Sequence, residues 1–519
     1  MIELTLAEVA DAVGGTLHDG ADPEARVTGP VEFDSRKIAP GGLFLALPGA
    51  RVDGHDFAAQ AVNEGGAVAA LTARPVGVPA IVVEPKGPGD ATAEAYAKDA
   101  DGSATAVIDA LGALARRVVD TLASADRPEA ERLTVVGVTG SAGKTSTKDL
   151  IASVLRRSGS TVAPPGSFNN EIGHPYTALR CTEETRYLVA EMSARNIGHI
   201  AHLARIAPPA VGVELNVGTA HLGEFGSREN IARAKGELVE ALPAAEDGGV
   251  AVLNGDDPFV AAMAPRTRAR VVTFSAAEPP APGAVYTASD ITLDDVARAS
   301  FTFGVRAADG TAETHPVRLR VFGAHQVSNA LAAAAVGVES GIAPAEVAAA
   351  LSEHVTASAN RMDVHTRADG VTLINDAYNA NPDSMRAGIA ALAYTAAARP
   401  EAKSWAVLGE MAELGGDALT EHARIGDELE RYRVDHLVAV GHSEPVAELA
   451  RAAEARGVTT QRVGDAEAAA AVVGKHLRRG DVVLVKASNS QGLWRVAAAL
   501  QGPPEAPGGG AAKTIDGKN

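Results

Sequence analysis

Aliphatic runs at 133–138, 187–190, 210–215, 250–253 and 270–274 alternate with stretches whose apolar positions recur at helical spacing, and the alternation returns at 371–375, 404–408, 436–440 and 481–485. A short, continuous apolar run bounded by turn residues marks a strand buried on both faces, and strands alternating with helices build parallel sheets covered on both sides. The pattern predicts an α/β protein whose second and third blocks each hold such a sheet. The first block ends near 123–128, where Ser, Asp and Pro interrupt the helical spacing. Domains are therefore expected at 1–129, 130–352 and 353–502. Residues 84–103, rich in Pro, Gly and Asp, read as a surface loop, and 503–519 lack periodicity and read as a disordered tail.

Length agrees with that division, because 519 residues exceed one core and a prior of about 150 residues per domain suggests roughly three. Hydrophobic residues make up 46% but aromatics only 4%, so the interior must be built mostly from Ala, Val and Leu. A net charge of -18 argues against a nucleic-acid-binding surface, which would show a basic patch or stripe. The single cysteine, Cys181, excludes an internal disulfide framework and a multi-cysteine metal site, and reads as a small core residue. The opening MIELTLAEVADAVGG carries acids where a signal peptide needs a basic region. No apolar run approaches the roughly 18 residues of a membrane span. A cytoplasmic monomer without membrane insertion is the expectation.

The stretch VVGVTGSAGKTSTKD at 135–149 holds the most specific chemistry. A strand runs into Thr139, Gly140, Ser141, Ala142, Gly143, Lys144 and Thr145, and a helix is expected over 146–157. Backbone N–H groups of such a loop, with the positive helix end, approach a polyphosphate closely; a lysine reaches its outer oxygens and a hydroxyl can ligate Mg²⁺. Nucleotide hydrolysis or transfer is the first implication. The loop is a variant, since position 138, five residues before Gly143, is valine where the common pattern has glycine.

In open parallel sheets ligands bind beyond the carboxyl ends of the strands. Lys144, Glu191, Asn216, Asp376, Glu410 and Lys486 stand at such ends. Glu191 suits a Mg²⁺ site as a hard oxygen donor and equally suits an ordinary strand-end acid. His221, after the next strand, reads either as a second donor to the same metal or as a structural histidine. Lys235, in IARAKGELVE, reads by default as a solvated surface lysine. Asn381-Pro382 reads as a helix cap followed by proline at the first helical position, leaving Asp376, Tyr378 and Asn379 as polar groups on the connecting loop. Arg361 reads as a phosphate contact or a hinge-region surface residue.

Taken together these segments resemble the Mur ligases, the ADP-forming amide-bond synthetases of bacterial cell-wall precursor assembly. The resemblance runs through DSRKIAPGGLFLALPGARVDGHDF (34–57), VTGSAGKTSTKD (138–149), GSFNNEIGHP (166–175), EMSARNIGHI (191–200), NVGTAHLGEFGS (216–227), AKGEL (234–238), GAHQVSNALAA (323–333), NRMDV (360–364), NDAYNANPDSM (375–385) and LGEMAELG (408–415). It implies an N-terminal α/β domain for a UDP-linked substrate, a central P-loop ATPase-like parallel-sheet domain and a C-terminal Rossmann-like α/β domain. Within the family, NDAYNANPDSM, LGEMAELG and FNNEIG are similar to the branch that joins D-alanyl-D-alanine to UDP-N-acetylmuramoyl-tripeptide. The diaminopimelate- or lysine-adding branch would carry a DNPR-like motif in the third domain, and none is present.

The resemblance further implies that Lys144 holds the ATP phosphates, that Thr145 and Glu191 ligate one Mg²⁺, and that Glu191 and His221 help to hold a second. It implies a carbamylated Lys235, whose carboxylate-like group would favour a metal where an ammonium would repel it. Asn329 becomes an adenine-side contact, and Arg361 and Asp376 complete the nucleotide site. Ser35 and Arg36 fall at the uridine diphosphate end, with Asn169, Asn170, Tyr378 and Asn379 also among the substrate-binding residues. Three departures stand out: His174 where the segment usually continues apolar, an acid shifted by one position at Glu224, and LVKASNSQGLW in place of a KGSR-like stretch. The last leaves Asn489 where an arginine is expected and weakens the dipeptide-binding role of Lys486 and Ser488.

Overall fold

The computed structural model describes residues 1–49, 52–85, 87, 99, 101–164, 166–219, 222–307, 310–356, 358, 360–399 and 401–501. Most of the 84–103 segment and the whole 503–519 segment, read above as a surface loop and a disordered tail, lie outside the described residues. By its contacts the chain divides into two compact units, Met1–Ala359 with Glu413–Asp417, and Asn360–Ala412 with Ala418–Asn519.

The first unit contains two large sheets. In the N-terminal one the order is Thr16–His18, Ala80–Val82, Ala69–Thr72, Leu43–Leu45, Val31–Glu32, parallel apart from its first pair. The central sheet has nine strands. Its parallel core runs Thr161–Val162, Tyr187–Glu191, Thr134–Thr139, Val211–Glu214, Val250–Asn254, Arg270–Ser275. The predicted strands of this block match these within two residues.

Alternation along Thr134–Thr139 explains why the sheet is covered twice. Val136 and Val138 join one core cluster with the helix Lys144–Leu155, whereas Val135 joins another with the long helix Ser103–Ala123. That second cluster also takes in Leu43, Leu71 and Ile81 of the N-terminal sheet, so the two sheets share one apolar interior. Alanine does much of the filling, as the low aromatic content requires: Ala330 to Ala335 are all fully buried on the helix Gln326–Glu339.

Beyond Arg270–Ser275 the chain adds Tyr286–Leu293, Arg298–Arg306 and Ala312–Phe322, the last two pairings antiparallel. These strands were not expected from the apolar runs. Tyr286–Leu293 and Ala312–Phe322 carry many exposed side chains, and Arg298–Arg306 alternates buried with half-buried ones, so polar residues break the continuous apolar signal.

The second unit holds a six-stranded sheet in the order Asp363–Thr366, Thr372–Asn375, Val482–Lys486, Ser404–Leu408, His436–Val440, Thr459–Val463, with only the first pair antiparallel. Its expected strands are again recovered within two residues. Asn381 and Pro382 cap the helix Pro382–Ala397 as predicted, with a reciprocal Asn381–Ser384 capping box. Among the described residues no helix is long and apolar enough to cross a membrane.

Candidate active site

Val138 explains the variant loop. It is fully buried in strand register with Glu191 and Val213, so the loop proper begins at Gly140. The following helix starts at Lys144, two residues earlier than expected. Gly143 caps that helix at φ 86, where an L side chain is strained, and a Cβ there would fall 2.6 Å from Asn329 Oδ1. Asn329 is thus buried against the loop, its amide nitrogen donating to Gln326 Oε1 at 3.0 Å.

The loop is clasped from the next strand's end. Ala142 N–H donates to Asn216 Oδ1 at 2.9 Å, Asn216 Nδ2 returns a bond to the Ala142 carbonyl at 3.0 Å, and Gly218 N–H donates to Ser141 Oγ at 2.9 Å. Lys144 Nζ folds back to the Gly140 carbonyl at 2.8 Å. Lysine and backbone amides are therefore gathered at one helix N-terminus, the arrangement that binds phosphate oxygens.

Thr145 Oγ1 donates to Glu191 Oε2 at 2.7 Å and lies 2.8 Å from Ser167 Oγ. The other carboxylate oxygen accepts Asn169 Nδ2 at 2.7 Å and Ser167 Oγ at 3.4 Å. Thr145 and Glu191 are each almost fully buried. A hydroxyl and a carboxylate side by side at the edge of the loop are hard oxygen donors, and they fit Mg²⁺. Asn170 Oδ1 accepts Gly173 N–H at 2.9 Å at the start of the short helix Gly173–Ala178.

Lys235 is not the solvated surface lysine that its local pattern suggested. It is 5% exposed, and burial, with the nearby Lys144 charge, pushes its ammonium down to about 7. Facing it electrostatically is Glu214, which the sequence reading passed over within the apolar run 210–215. Burial drives that carboxyl up, and the Lys235 charge draws it back. The available signal was a lone acid inside VGVELNV. His221 lies outside the described residues.

At the N-terminal end Arg36 is exposed and forks onto Asp34, with bonds of 2.8 and 2.9 Å that hold the Asp34 carboxyl down to about 2. Ser35 Oγ lies 3.5 Å from Gln60 Oε1. Beside them is an aromatic cluster the sequence reading missed: Tyr176 meets Phe33 and Phe168 at centroid distances of 5.3 and 5.7 Å and donates to Glu32 Oε1 at 2.8 Å. The DGHDF motif resolves structurally. Asp53 accepts the His55 ring nitrogen Nδ1 at 2.6 Å while Nε2 accepts Ala73 N–H at 2.9 Å.

Within the second unit, Arg361 stacks its guanidinium 4.1 Å from the Tyr378 ring centroid. Asp376 accepts Met362 N–H at 3.1 Å and Lys486 Nζ at 2.5 Å, and Lys486 also reaches the Asn379 carbonyl at 2.9 Å. Asn379 Oδ1 takes Ala380 N–H at 2.9 Å. Ser488 Oγ accepts Ala412 N–H at 2.9 Å. Lys486 and Ser488 thus brace this unit's loops. The two other anomalies also resolve: Glu224 is exposed on the short helix Leu222–Phe225, and His174 sits buried as a neutral ring, standing in for an apolar residue.

Comparison with known proteins defines the class. Residues 30–139 match the Mur ligase family catalytic domain, 138–337 the Mur ligase middle domain and 360–489 the Mur ligase glutamate ligase domain. The UDP-N-acetylmuramoyl-tripeptide--D-alanyl-D-alanine ligase of Mycobacterium tuberculosis strain H37Rv is 54% identical, covering 96% of this chain and 98% of that one. A crystal structure of MurF from Acinetobacter baumannii aligns with TM-score 0.78 at 29% identity over 96% of this chain and 99% of that chain. MurF from Thermotoga maritima, solved with ADP, aligns at 0.71 and 29% identity over 92% of this chain and 97% of that chain. The chain belongs to the Mur ligase family.

Proposed function

We propose that the chain is an ATP-dependent, ADP-forming ligase that adds D-alanyl-D-alanine to UDP-N-acetylmuramoyl-tripeptide in peptidoglycan precursor synthesis. The observation that carries this reading is the 54% identity, over nearly the whole of both chains, to relatives bearing that name.

In this reading the tripeptide's terminal carboxylate attacks the ATP γ-phosphorus, the bond to ADP breaks, and an acyl phosphate forms. The D-alanyl-D-alanine amine then attacks the acyl carbon through a tetrahedral intermediate, and phosphate leaves. Lys144 and the amides of Gly140, Ser141, Ala142 and Gly143 bind the phosphates and neutralise charge as it builds on them. Asn329 supports the loop at Gly143, and Thr139 carries the strand into it. Thr145 and Glu191 would hold one Mg²⁺, and Glu191, His221 and a carbamylated Lys235 would hold a second. Bound there, the ions would supply charge neutralisation to the transferring phosphoryl group. Protein nucleophiles are not needed, because positioning and exclusion of water protect the acyl phosphate.

The N-terminal domain, 1–129, takes the UDP end through Ser35 and Arg36. Residues 130–352 take ATP, with Asn169 and Asn170 toward the peptide. Residues 353–502 bring Arg361 and Asp376 to the nucleotide and Tyr378 and Asn379 to the dipeptide. The enzyme works as a cytoplasmic monomer. A matrix of UDP-linked peptide acceptors and amino donors, read by product mass and ADP release, tests this. A product is expected with tripeptide and D-alanyl-D-alanine, and not with diaminopimelate, lysine or glutamate as donor. If tripeptide and dipeptide together fail to stimulate ATP turnover, the ligase reading is wrong.

A further inference from the structure

The helix Lys144–Leu155 carries a charged pair where its surroundings are core. Lys148 is fully buried and Asp149 nearly so, and Lys148 Nζ lies 2.8 Å from Asp149 Oδ1. Such a pair is costly to bury unless its remaining donors and acceptors are met. Two segments distant in sequence meet them. Lys148 Nζ also donates to the Pro164 carbonyl and, at 3.3 Å, to the Gly166 carbonyl, so each ammonium hydrogen has an acceptor. Ser358 Oγ, also buried, donates to Asp149 Oδ2 at 2.6 Å and accepts Gly166 N–H at 3.2 Å. The bonds close into a ring that runs from Lys148 to Asp149, Ser358 and Gly166 and back to Lys148.

The ring ends where the oxygen donors of the site begin. Gly166 takes φ 78, in the left-handed region, and the next residue, Ser167, puts its Oγ 2.8 Å from Thr145 Oγ1 and 3.4 Å from Glu191 Oε1. Asn169, in the same segment, donates to Glu191 Oε1 at 2.7 Å. Both side chains that orient the Glu191 carboxylate from this segment therefore follow a turn gripped at Gly166 by its N–H and its carbonyl. Ser358 is the member of the ring farthest along the chain, standing just before Asn360, where the second unit begins. A buried network whose members are all satisfied acts as a unit, so loss of the Ser358 hydroxyl is felt at each of them.

We propose that Ser358 is a positioning residue for the metal side of the nucleotide site: with Asp149 and Lys148 it fixes the turn at Gly166, and with that turn the orientation in which Ser167 and Asn169 hold the Glu191 carboxylate for a Mg²⁺–nucleotide complex. This rests on the reading of Thr145 and Glu191 as Mg²⁺ donors given under the proposed function. Ser358 acts through Glu191 in this scheme and does not touch the reacting atoms.

The full-length protein, Ser358→Ala and Ser358→Cys are titrated calorimetrically with ADP, with Mg²⁺ and without it, and urea unfolding checks that each is folded. The cysteine keeps the volume and offers only a weak donor, so it can be read if an unpaired Asp149 oxygen unfolds the alanine variant. In the unaltered protein Mg²⁺ should strengthen ADP binding. Ser358→Ala should weaken ADP binding with Mg²⁺ about ten-fold, the lower end of the loss when an outer partner of a metal ligand is removed, and should leave binding without Mg²⁺ unchanged. Ser358→Cys should fall between. Folded variants that bind ADP with Mg²⁺ as tightly as the parent overturn the proposal. So does an equal loss with and without Mg²⁺, or unfolding of both variants, either of which makes the ring a brace of the fold alone. No effect of Mg²⁺ on the unaltered protein overturns the reading of Thr145 and Glu191, and the role of Ser358 with it.

Discussion

Asn216 holds Ala142 by both ends of its side-chain amide, accepting the Ala142 N–H at 2.9 Å and donating to the Ala142 carbonyl at 3.0 Å. A loop that must present its amides to an anion cannot satisfy them internally, so it needs an external brace. Asn216→Ala should lower unfolding free energy by about 1–3 kcal/mol, since it leaves both groups of Ala142 unpaired. Asn216→Asp keeps the acceptor but sets a negative charge beneath the phosphate loop. It should therefore weaken ADP binding more than it lowers stability. Calorimetric ADP titration beside urea unfolding checks the split; equal ADP affinity in all three proteins removes the brace from the nucleotide site.

Lys144 contributes charge at the point where negative charge gathers, and its Nζ now rests on the Gly140 carbonyl at 2.8 Å. Lys144→Ala should reduce substrate-dependent ADP formation about a hundred- to a thousand-fold, the range seen when one preorganised charge-stabilising group is removed. A coupled ADP assay at saturating substrates reads this. Near-normal turnover would discard the assigned role.

The parallel strands were legible because burial on both faces leaves an uninterrupted apolar run. The antiparallel strands from Tyr286 to Phe322 were not, because exposed and half-buried polar side chains interrupt their apolar positions. Among site residues, the loop, Thr145 and Glu191 were legible from type and position at a strand's end. Lys235 was misread because a charged residue in a mostly polar helix defaults to the surface. Its burial could have been read from Ile231, four residues earlier on the same helical face and fully buried. Glu214 escaped for the opposite reason, since its apolar neighbours made the run look like plain core. Partners distant in sequence, such as Asn216 with Ala142, become visible only once the strands are placed side by side.

Glu237 ties the segment after Lys235 to the start of another helix. Its carboxylate accepts Gly198 N–H at 2.5 Å and Ala201 N–H at 3.0 Å, capping the helix His199–Ile206, which has no side-chain cap of its own. Glu237→Ala should cost about 1–3 kcal/mol, as loss of a charged acceptor from two helix N-terminal amides. Glu237→Gln retains an acceptor and should fall between. Urea unfolding of the three proteins gives the order, and an alanine variant as stable as the parent would refute the capping role.

His174 gives stability a pH dependence of known sign. Burial lowers its pKa from 6.5 to about 4, outweighing a bond to the Leu203 backbone that acts the other way, and its buried Nε2 has no hydrogen-bond partner. The ring is thus neutral in the fold over a range where the unfolded chain protonates it. Below about 6.5 the unfolded state binds the extra proton, so stability falls as pH is lowered toward about 4 and the contribution then levels off, at up to about 1.4 kcal/mol per pH unit inside that window. His202, His354, His422 and His436 are also lowered by burial and add to the fall with the same sign. His174→Leu isolates one share of it: between pH 6.5 and 4 its stability should decline less steeply than the parent's, and above pH 7 the two curves should run parallel. Chemical unfolding across that range decides the matter, because curves that stay parallel throughout would mean His174 carries the same charge in both states.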